Sequence, residues 1–121
     1  MTILSRRDES FLCLASKVAE MSNERNRHGA VIVRGGSVLS LGFNVNKNSP
    51  NQLTRMNSKN VRKECGIHAE AAAIRRSPGS KRATIYISRI GKAGQTLLSR
   101  PCKDCERLIL QAGIKKIIYT T

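Results

Sequence analysis

The fold is decided by the stretch AVIVRGGSVLSLGFN, which spans residues 30–44. Aliphatic and β-branched residues lie on both sides of Gly35-Gly36, and such runs favour β-strands. Two consecutive glycines suit a two-residue hairpin turn, because glycine adopts positive φ angles without steric cost. The sequence therefore predicts two antiparallel strands, over residues 30–34 and 37–44.

Helical and extended patterns follow one another on either side of this hairpin. Before it, Ser5 is a candidate helix N-cap, and apolar residues recur at helical spacing over residues 11–19. Pro78 and Gly113 mark the ends of two later helices. The elements predicted after the hairpin are a helix over residues 68–76, a strand over 83–90, a helix over 102–112 and a strand over 116–121.

The element order αββαβαβ is typical of the α/β class. Strand–helix–strand units favour parallel crossovers that place helices on both faces of a sheet. We therefore predict a single domain over residues 1–121, with three α/β/α layers and a mixed sheet of about four strands. Open sheets of this kind bind ligands at the carboxyl ends of their strands, and the two later helices begin at that edge.

Two short motifs, His68-Ala69-Glu70 and Pro101-Cys102-Lys103-Asp104-Cys105, contain side chains that bind metals. Catalytic zinc usually has three protein ligands and leaves its fourth position to water, whose pKa falls to about 7. His68, Cys102 and Cys105 are three such ligands. The motifs therefore predict a catalytic Zn²⁺ site.

The spacing within each motif assigns further roles. If a helix begins at Pro101, Cys102 and Cys105 lie on one face of its first turn, where the helix dipole favours thiolates. Glu70 follows His68 by two positions, so the two side chains should not point the same way. Glu70 is then available as the acid/base that exchanges protons with the water.

Two other interpretations use the same residues. Cys65, together with the three predicted ligands, could complete a four-ligand structural zinc site that does no catalysis. The C-x-x-C pair could instead be a redox pair, although such pairs usually follow a strand in a thioredoxin-like setting. Neither interpretation accounts for Glu70, whereas H-x-E followed by P-C-x-x-C is the signature of zinc-dependent nucleobase deaminases.

Through these two motifs, the chain resembles the cytidine and deoxycytidylate deaminase superfamily. Weaker similarities extend over nearly the whole chain, in residues 27–33, 42–44 and 108–119. The last segment looks most like the deoxycytidylate branch and its small viral relatives. The resemblance implies the cytidine-deaminase-like α/β/α fold, a Zn²⁺ cofactor and proton transfer by Glu70.

The resemblance also implies residues that contact the substrate. Asn44 would hydrogen-bond the sugar, and Ala69 would present its backbone to the base. His28 lies near the predicted hairpin and could stack on the base. The residues themselves leave simpler roles open, since Asn44 could merely end a strand and His28 could be an ordinary surface side chain.

The implied reaction is hydrolytic deamination of cytosine to uracil in a (deoxy)cytidine nucleotide, most of all dCMP. An alternative substrate is cytosine in single-stranded DNA or RNA, and adenine is a lesser alternative because the same metal chemistry serves it. A protein of another class also remains open: a non-enzymatic nucleic-acid-binding module stabilised by structural zinc.

The charge of the chain favours anionic partners. Its formal net charge is +14 and its isoelectric point is about 10.6, which implies attraction to phosphorylated substrates or polyanions. Residues 45–64 are polar and rich in cations, and they either contact substrate or form a solvated insertion.

The sequence also suggests a compartment. No stretch approaches membrane-spanning length, and residues 1–7 lack the apolar centre of a secretory signal. We therefore expect a cytoplasmic protein with reduced thiols and no membrane partner. An exposed sheet edge could pair with another copy, so a homo-oligomer remains open.

Overall fold

The computed structural model describes residues 4–45 and 68–121. Most of the polar stretch predicted at residues 45–64, and also Cys65, lie outside the described residues. The described elements are, in chain order, α1 (Arg6–Ala19), β1 (Arg27–Arg34), β2 (Ser37–Phe43), α2 (Ala69–Arg76), β3 (Thr84–Ile90), β4 (Thr96–Leu97), α3 (Lys103–Gln111) and β5 (Lys116–Tyr119).

Local sequence signals set the ends of these elements. The Ser5 hydroxyl accepts a hydrogen bond from the Asp8 backbone N–H at 3.1 Å, which confirms Ser5 as the N-cap of α1. Gly113, with φ of 81°, follows the end of α3 and takes the left-handed conformation that glycine favours there. Gly35 and Gly36 also have positive φ and form the predicted turn between β1 and β2.

The strands form one mixed sheet. β1 pairs antiparallel with β2 on one side and with β3 on the other. β4 and β5 both pair with β3, β4 antiparallel near its end and β5 parallel along its first half. The predicted mixed sheet is confirmed, but it has five strands instead of about four.

The additional strand is β4, which lies between the strand predicted over residues 83–90 and the helix predicted over residues 102–112. Thr96 and Leu97 are its only two residues, too short a run to show the period of two that reveals a strand. They pair with Ile90 and Arg89 through backbone register, which local sequence does not encode. The observed order is therefore αββαββαβ.

Side-chain alternation along the strands builds the three predicted layers. Ala30 and Ile32 of β1 belong to a buried cluster that also contains residues of α2 and α3. Val31 and Val33 belong to a second cluster, with residues of α1. Because successive strand residues point to opposite faces, β1 serves both cores at once. The α/β/α architecture is confirmed.

Gly42 of β2 allows α2 to approach the sheet closely. A Cβ atom placed there would collide with the backbone of Ala69 and Ala73 in α2. The absence of a side chain at this position therefore sets the distance between β2 and the helix that begins after His68.

We expect Gly42→Ala to destabilise the protein by about 1–3 kcal/mol, because the new methyl group meets helix backbone that cannot move alone. Chemical denaturation measures the change. Gly79→Ala is the matched control, since a Cβ at Gly79 meets nothing within 4 Å. Equal stability of the two variants would contradict the close packing of Gly42 against α2.

No helix in the two described ranges combines the length and the apolar character needed to cross a membrane.

Candidate metal centre

The predicted ligands lie at the beginnings of two helices on the same face of the sheet. His68 is the N-cap of α2 and Cys102 is the N-cap of α3. Both residues have extended backbone, so each lies at the junction between an incoming segment and a helix. Cys105 lies in the first turn of α3 and is 5% exposed.

The helix predicted over residues 102–112 begins one residue later in the structure, and the start at Pro101, which was a condition for the placement of the two thiols, is not observed. α3 begins at Lys103, and Pro101 is a buried residue that precedes the N-cap. The physical reason is that Cys102 itself occupies the cap position, where its Sγ accepts a hydrogen bond from the Cys105 N–H at 3.5 Å. The two thiols nevertheless converge, because the cap side chain folds back over the first turn.

The three predicted ligand side chains come together. His68 Nδ1 lies 3.1 Å from Cys105 Sγ and 3.8 Å from Cys102 Sγ. All three ligand atoms lie within 4.8 Å of one another. Zinc bonds of about 2.0–2.3 Å in tetrahedral geometry place neighbouring ligand atoms about 3.5–4 Å apart, close to this arrangement.

The chemistry of the donors fits zinc. One imidazole nitrogen and two sulfurs are ligands that zinc prefers, and three protein ligands leave one tetrahedral position open. Burial raises the pKa of the Cys105 thiol well above its usual range, and the nearby Glu70 raises it further. A cation at the centre of the cluster would favour the thiolate, so this buried sulfur is suited to a bound metal.

Glu70 lies beside the cluster but is not part of it. Its side chain is 4% exposed, and it interacts electrostatically with both His68 and Cys105. Burial raises the pKa of the Glu70 carboxyl, while its own backbone N–H and His68 act in the opposite direction. A raised pKa makes a carboxyl better able to take up a proton and release it again.

The predicted substrate-side residues lie at the start of β1 and the end of β2. Burial lowers the pKa of His28. The backbone at Asn26 raises it, whereas electrostatic interactions with Arg89 and His68 lower it further, so the neutral imidazole is favoured. Asn44 Oδ1 accepts from the His28 backbone N–H at 2.9 Å, and Asn44 Nδ2 donates to the Asn26 carbonyl at 2.6 Å. Asn44 thus holds the backbone that carries His28.

Ala69 is the first residue of α2 and is fully buried in the core. It follows His68 directly, so its backbone lies at the same helix start as the predicted ligand.

Comparison with known proteins identifies the family. Residues 5–121 match the family model described as "Cytidine and deoxycytidylate deaminase zinc-binding region". The chain belongs to this family. The resemblance stated from the two motifs is thereby confirmed, and with it the zinc-binding character of the protein.

Individual relatives of the chain are named deoxycytidylate deaminase. The chain is 29% identical to the deoxycytidylate deaminase of Mycobacterium phage D29, over 93% of this chain and 92% of that protein. It is 31% identical to the deoxycytidylate deaminase of Pongo abelii, over 92% of this chain but 62% of that protein. The crystal structure of dCMP deaminase from the cyanophage S-TIM5 with dCMP and dUMP superposes with a TM-score of 0.69, at 22% identity, over 98% of this chain and 83% of that chain. That likeness confirms the fold.

Some residues near the candidate metal site of this deaminase were not predicted from the sequence. Arg89 of β3 pairs directly with His28 of β1, and its guanidinium donates to Asn26 Oδ1 at 3.1 Å. Ser99 and Thr120 form a buried hydrogen-bonded pair close to the start of α3. No local signal marks these residues, because strand register and chain crossing bring them into place.

Proposed function

We propose that this deaminase hydrolyses the cytosine of a (deoxy)cytidine nucleotide, dCMP above all, to uracil and ammonia. The observation that supports it most is the nitrogen–sulfur–sulfur cluster of His68, Cys102 and Cys105, with the buried Glu70 beside it. In this proposal the three clustered residues bind Zn²⁺ and Glu70 is the catalytic acid/base. Relatives named deoxycytidylate deaminase support the choice of dCMP.

Zinc, when bound, supplies Lewis-acid activation of a water molecule. Glu70 would take one proton from that water and deliver it to ring N3 of cytosine, while the water oxygen bonds to C4. Glu70 would then carry the second proton of the water to the amino nitrogen, so that the C4–N bond breaks, ammonia leaves and the uracil carbonyl remains at C4. The raised pKa of Glu70 suits these transfers, because the same carboxyl must accept and donate within one cycle.

The other residues of the site position the substrate in this proposal. Asn44 contacts the sugar, Ala69 presents its backbone to the base, and a neutral His28 stacks on it. Asn44 already bonds the backbone at Asn26 and His28, and its amide keeps one further N–H for a sugar hydroxyl. The same side chain would therefore align the sugar with the imidazole.

A second substrate class is cytosine in single-stranded DNA or RNA. The net charge of +14 favours it, and so do Arg100 and Lys103, which are exposed on either side of Cys102. The whole segment between Glu70 and Asp104 contains no acidic residue. Arg100 and Lys103 are available to the backbone phosphates of a strand bound beside Cys102.

A panel of substrates separates these possibilities. The zinc-loaded protein is incubated with dCMP, dCTP, cytidine, deoxycytidine, dAMP and a cytosine-containing oligonucleotide, and the deaminated products are quantified at several salt concentrations. We expect dCMP to give the highest kcat/KM. Preference for the oligonucleotide, with a steep loss at high salt, would replace dCMP by the second class.

The same panel addresses the non-enzymatic alternative. A protein that binds zinc yet deaminates none of the substrates would be a structural-zinc module. Cys65→Ala then shows whether a fourth ligand is present: in the catalytic arrangement, zinc binding is retained by this variant.

We also propose that residues 1–121 are one domain and that the protein acts in the cytoplasm. β2 pairs on one side only within the described sheet, and its free edge is a candidate surface for a homo-oligomer.

A further inference from the structure

We propose that Ser99 and Thr120 are positioning residues for the Cys102 ligand. Their hydroxyls form a clasp, the Ser99–Thr120 clasp, which fixes the segment entering α3 against β3. The inference rests on the zinc site of the proposed function, but it does not depend on which nucleotide is the substrate.

The clasp is a buried polar network. Ser99 is 2% exposed, Thr120 is 9% exposed, and their hydroxyl oxygens lie 2.8 Å apart. Buried hydroxyls are costly unless they are hydrogen-bonded, and both of these are bonded several times. The network is thus a defined structural feature of the interior.

The clasp joins three separate segments. Thr120 Oγ1 donates to the Leu97 carbonyl of β4 at 2.6 Å and accepts from the Arg89 N–H of β3 at 3.3 Å. Ser99 Oγ accepts from the Thr120 N–H at 2.9 Å and lies 2.9 Å from the Ile87 carbonyl of β3. Thr120, which follows β5, therefore links β3 to the chain that leaves β4.

The hydroxyl proton of Thr120 can be assigned. Each hydroxyl has one proton, and the shortest contact assigns that of Thr120 to the Leu97 carbonyl. The Ser99 proton then has two acceptors within reach, the Ile87 carbonyl at 2.9 Å and Thr120 Oγ1 at 2.8 Å. Loss of the Thr120 hydroxyl takes away its bonds to the Leu97 carbonyl and the Arg89 N–H. Loss of the Ser99 hydroxyl removes the side-chain link between the two segments, while the Thr120 N–H keeps its bond to the Ile87 carbonyl at 3.0 Å.

The clasp bears on Cys102 more than on Cys105. Cys105 is held inside α3, whose Ile109 is fully buried in the core. Cys102 is exposed, and as an N-cap it has extended backbone, with ψ of 169°. The direction of its side chain consequently depends on the incoming chain, which passes from Ser99 through the buried Pro101. Groups that orient a metal ligand without touching the metal commonly change metal affinity by about 10–100-fold.

The experiment compares Ser99→Ala with Ser88→Ala. Ser88 is fully buried on β3, and its hydroxyl contacts Ser16 of α1 at 2.7 Å, in the layer on the other face of the sheet. The two variants remove the same atom from similar environments. Zinc affinity is measured by competition with a chromogenic chelator, and the geometry of the site by the thiolate-to-metal absorption of the Co²⁺-substituted protein.

We expect Ser99→Ala to raise the zinc dissociation constant about 10–100-fold and to change the Co²⁺ spectrum. Ser88→Ala should leave the zinc dissociation constant within twofold of the wild-type value and the Co²⁺ spectrum unchanged. This should hold even where its melting temperature falls as far as that of Ser99→Ala. Equal effects of the two variants on zinc affinity, or no effect of either, would overturn the proposal.

A second pair of variants tests the proposal if Ser99→Ala does not fold. Thr120→Val removes the hydroxyl and keeps the shape, whereas Thr120→Ser keeps the hydroxyl. Zinc affinity should fall in the valine variant and be retained in the serine variant, and equal affinities would refute the clasp.

The metal measurements separate this proposal from the proposed function. A protein that shows the expected zinc affinities yet deaminates nothing would retain the clasp and lose the proposed activity. A wild-type protein that binds no zinc would overturn both.

Discussion

Glu70→Gln is expected to lower kcat for dCMP by about 10²–10⁴-fold, the usual contribution of a positioned acid/base. Glutamine has nearly the shape of glutamate but can neither take a proton from water nor return it to cytosine. Because Glu70 is 4% exposed, the substitution exchanges one buried polar group for another of the same size. The packing around the cluster should therefore be retained.

Three measurements make this test specific. Zinc content should be unchanged, since Glu70 lies outside the group of ligand atoms. Circular dichroism should show the wild-type fold. Glu106→Gln is the matched control, because Glu106 is exposed on α3 and should keep wild-type kcat. A Glu70→Gln enzyme within tenfold of wild-type kcat would remove Glu70 from the mechanism.

Cys102→Ser is expected to weaken zinc binding by more than about 100-fold and therefore to abolish deamination. This loss exceeds the roughly 10–100-fold effect of substituting residues that orient a ligand without touching the metal. A serine hydroxyl does not ionise as a thiol does and is a poor zinc ligand. Serine is nevertheless a preferred N-cap, so the start of α3 is preserved. Since Cys102 is exposed, no cavity is created.

This variant separates metal binding from folding. The stability of the metal-free protein should change by less than about 1 kcal/mol, because a serine cap replaces the long contact between Cys102 Sγ and the Cys105 N–H. Cys13→Ser, at an exposed cysteine of α1, should bind zinc like the wild type. Zinc titration gives the zinc affinity of both variants, and elemental analysis gives their zinc content. Full zinc occupancy in Cys102→Ser would show that Cys102 is not a ligand.

Local chemistry explains why much of the fold could be predicted. The Ser5 cap, the Gly35-Gly36 turn and the ends of α2 and α3 depend on residues within a few positions of one another. Glycine and serine at such sites act through backbone conformation and nearby hydrogen bonds, which the sequence displays directly. The two differences have separate causes. β4 exists because β3 offers a partner distant from local sequence signals, whereas α3 begins after Pro101 because the Cys102 thiol takes the cap position.

The sequence by itself determined which residues are candidates for the donor set and for the proposed acid/base, because His68, Glu70, Cys102 and Cys105 stand in two compact motifs. Only the tertiary structure brought His68 within 3.1 Å of Cys105, 37 positions away, and buried Glu70 beside them. It alone also placed Thr120 against Ser99 and Arg89 beside His28. The physical reason is that ligand type is a property of one residue, whereas distance, burial and pKa depend on how the sheet and its helices pack.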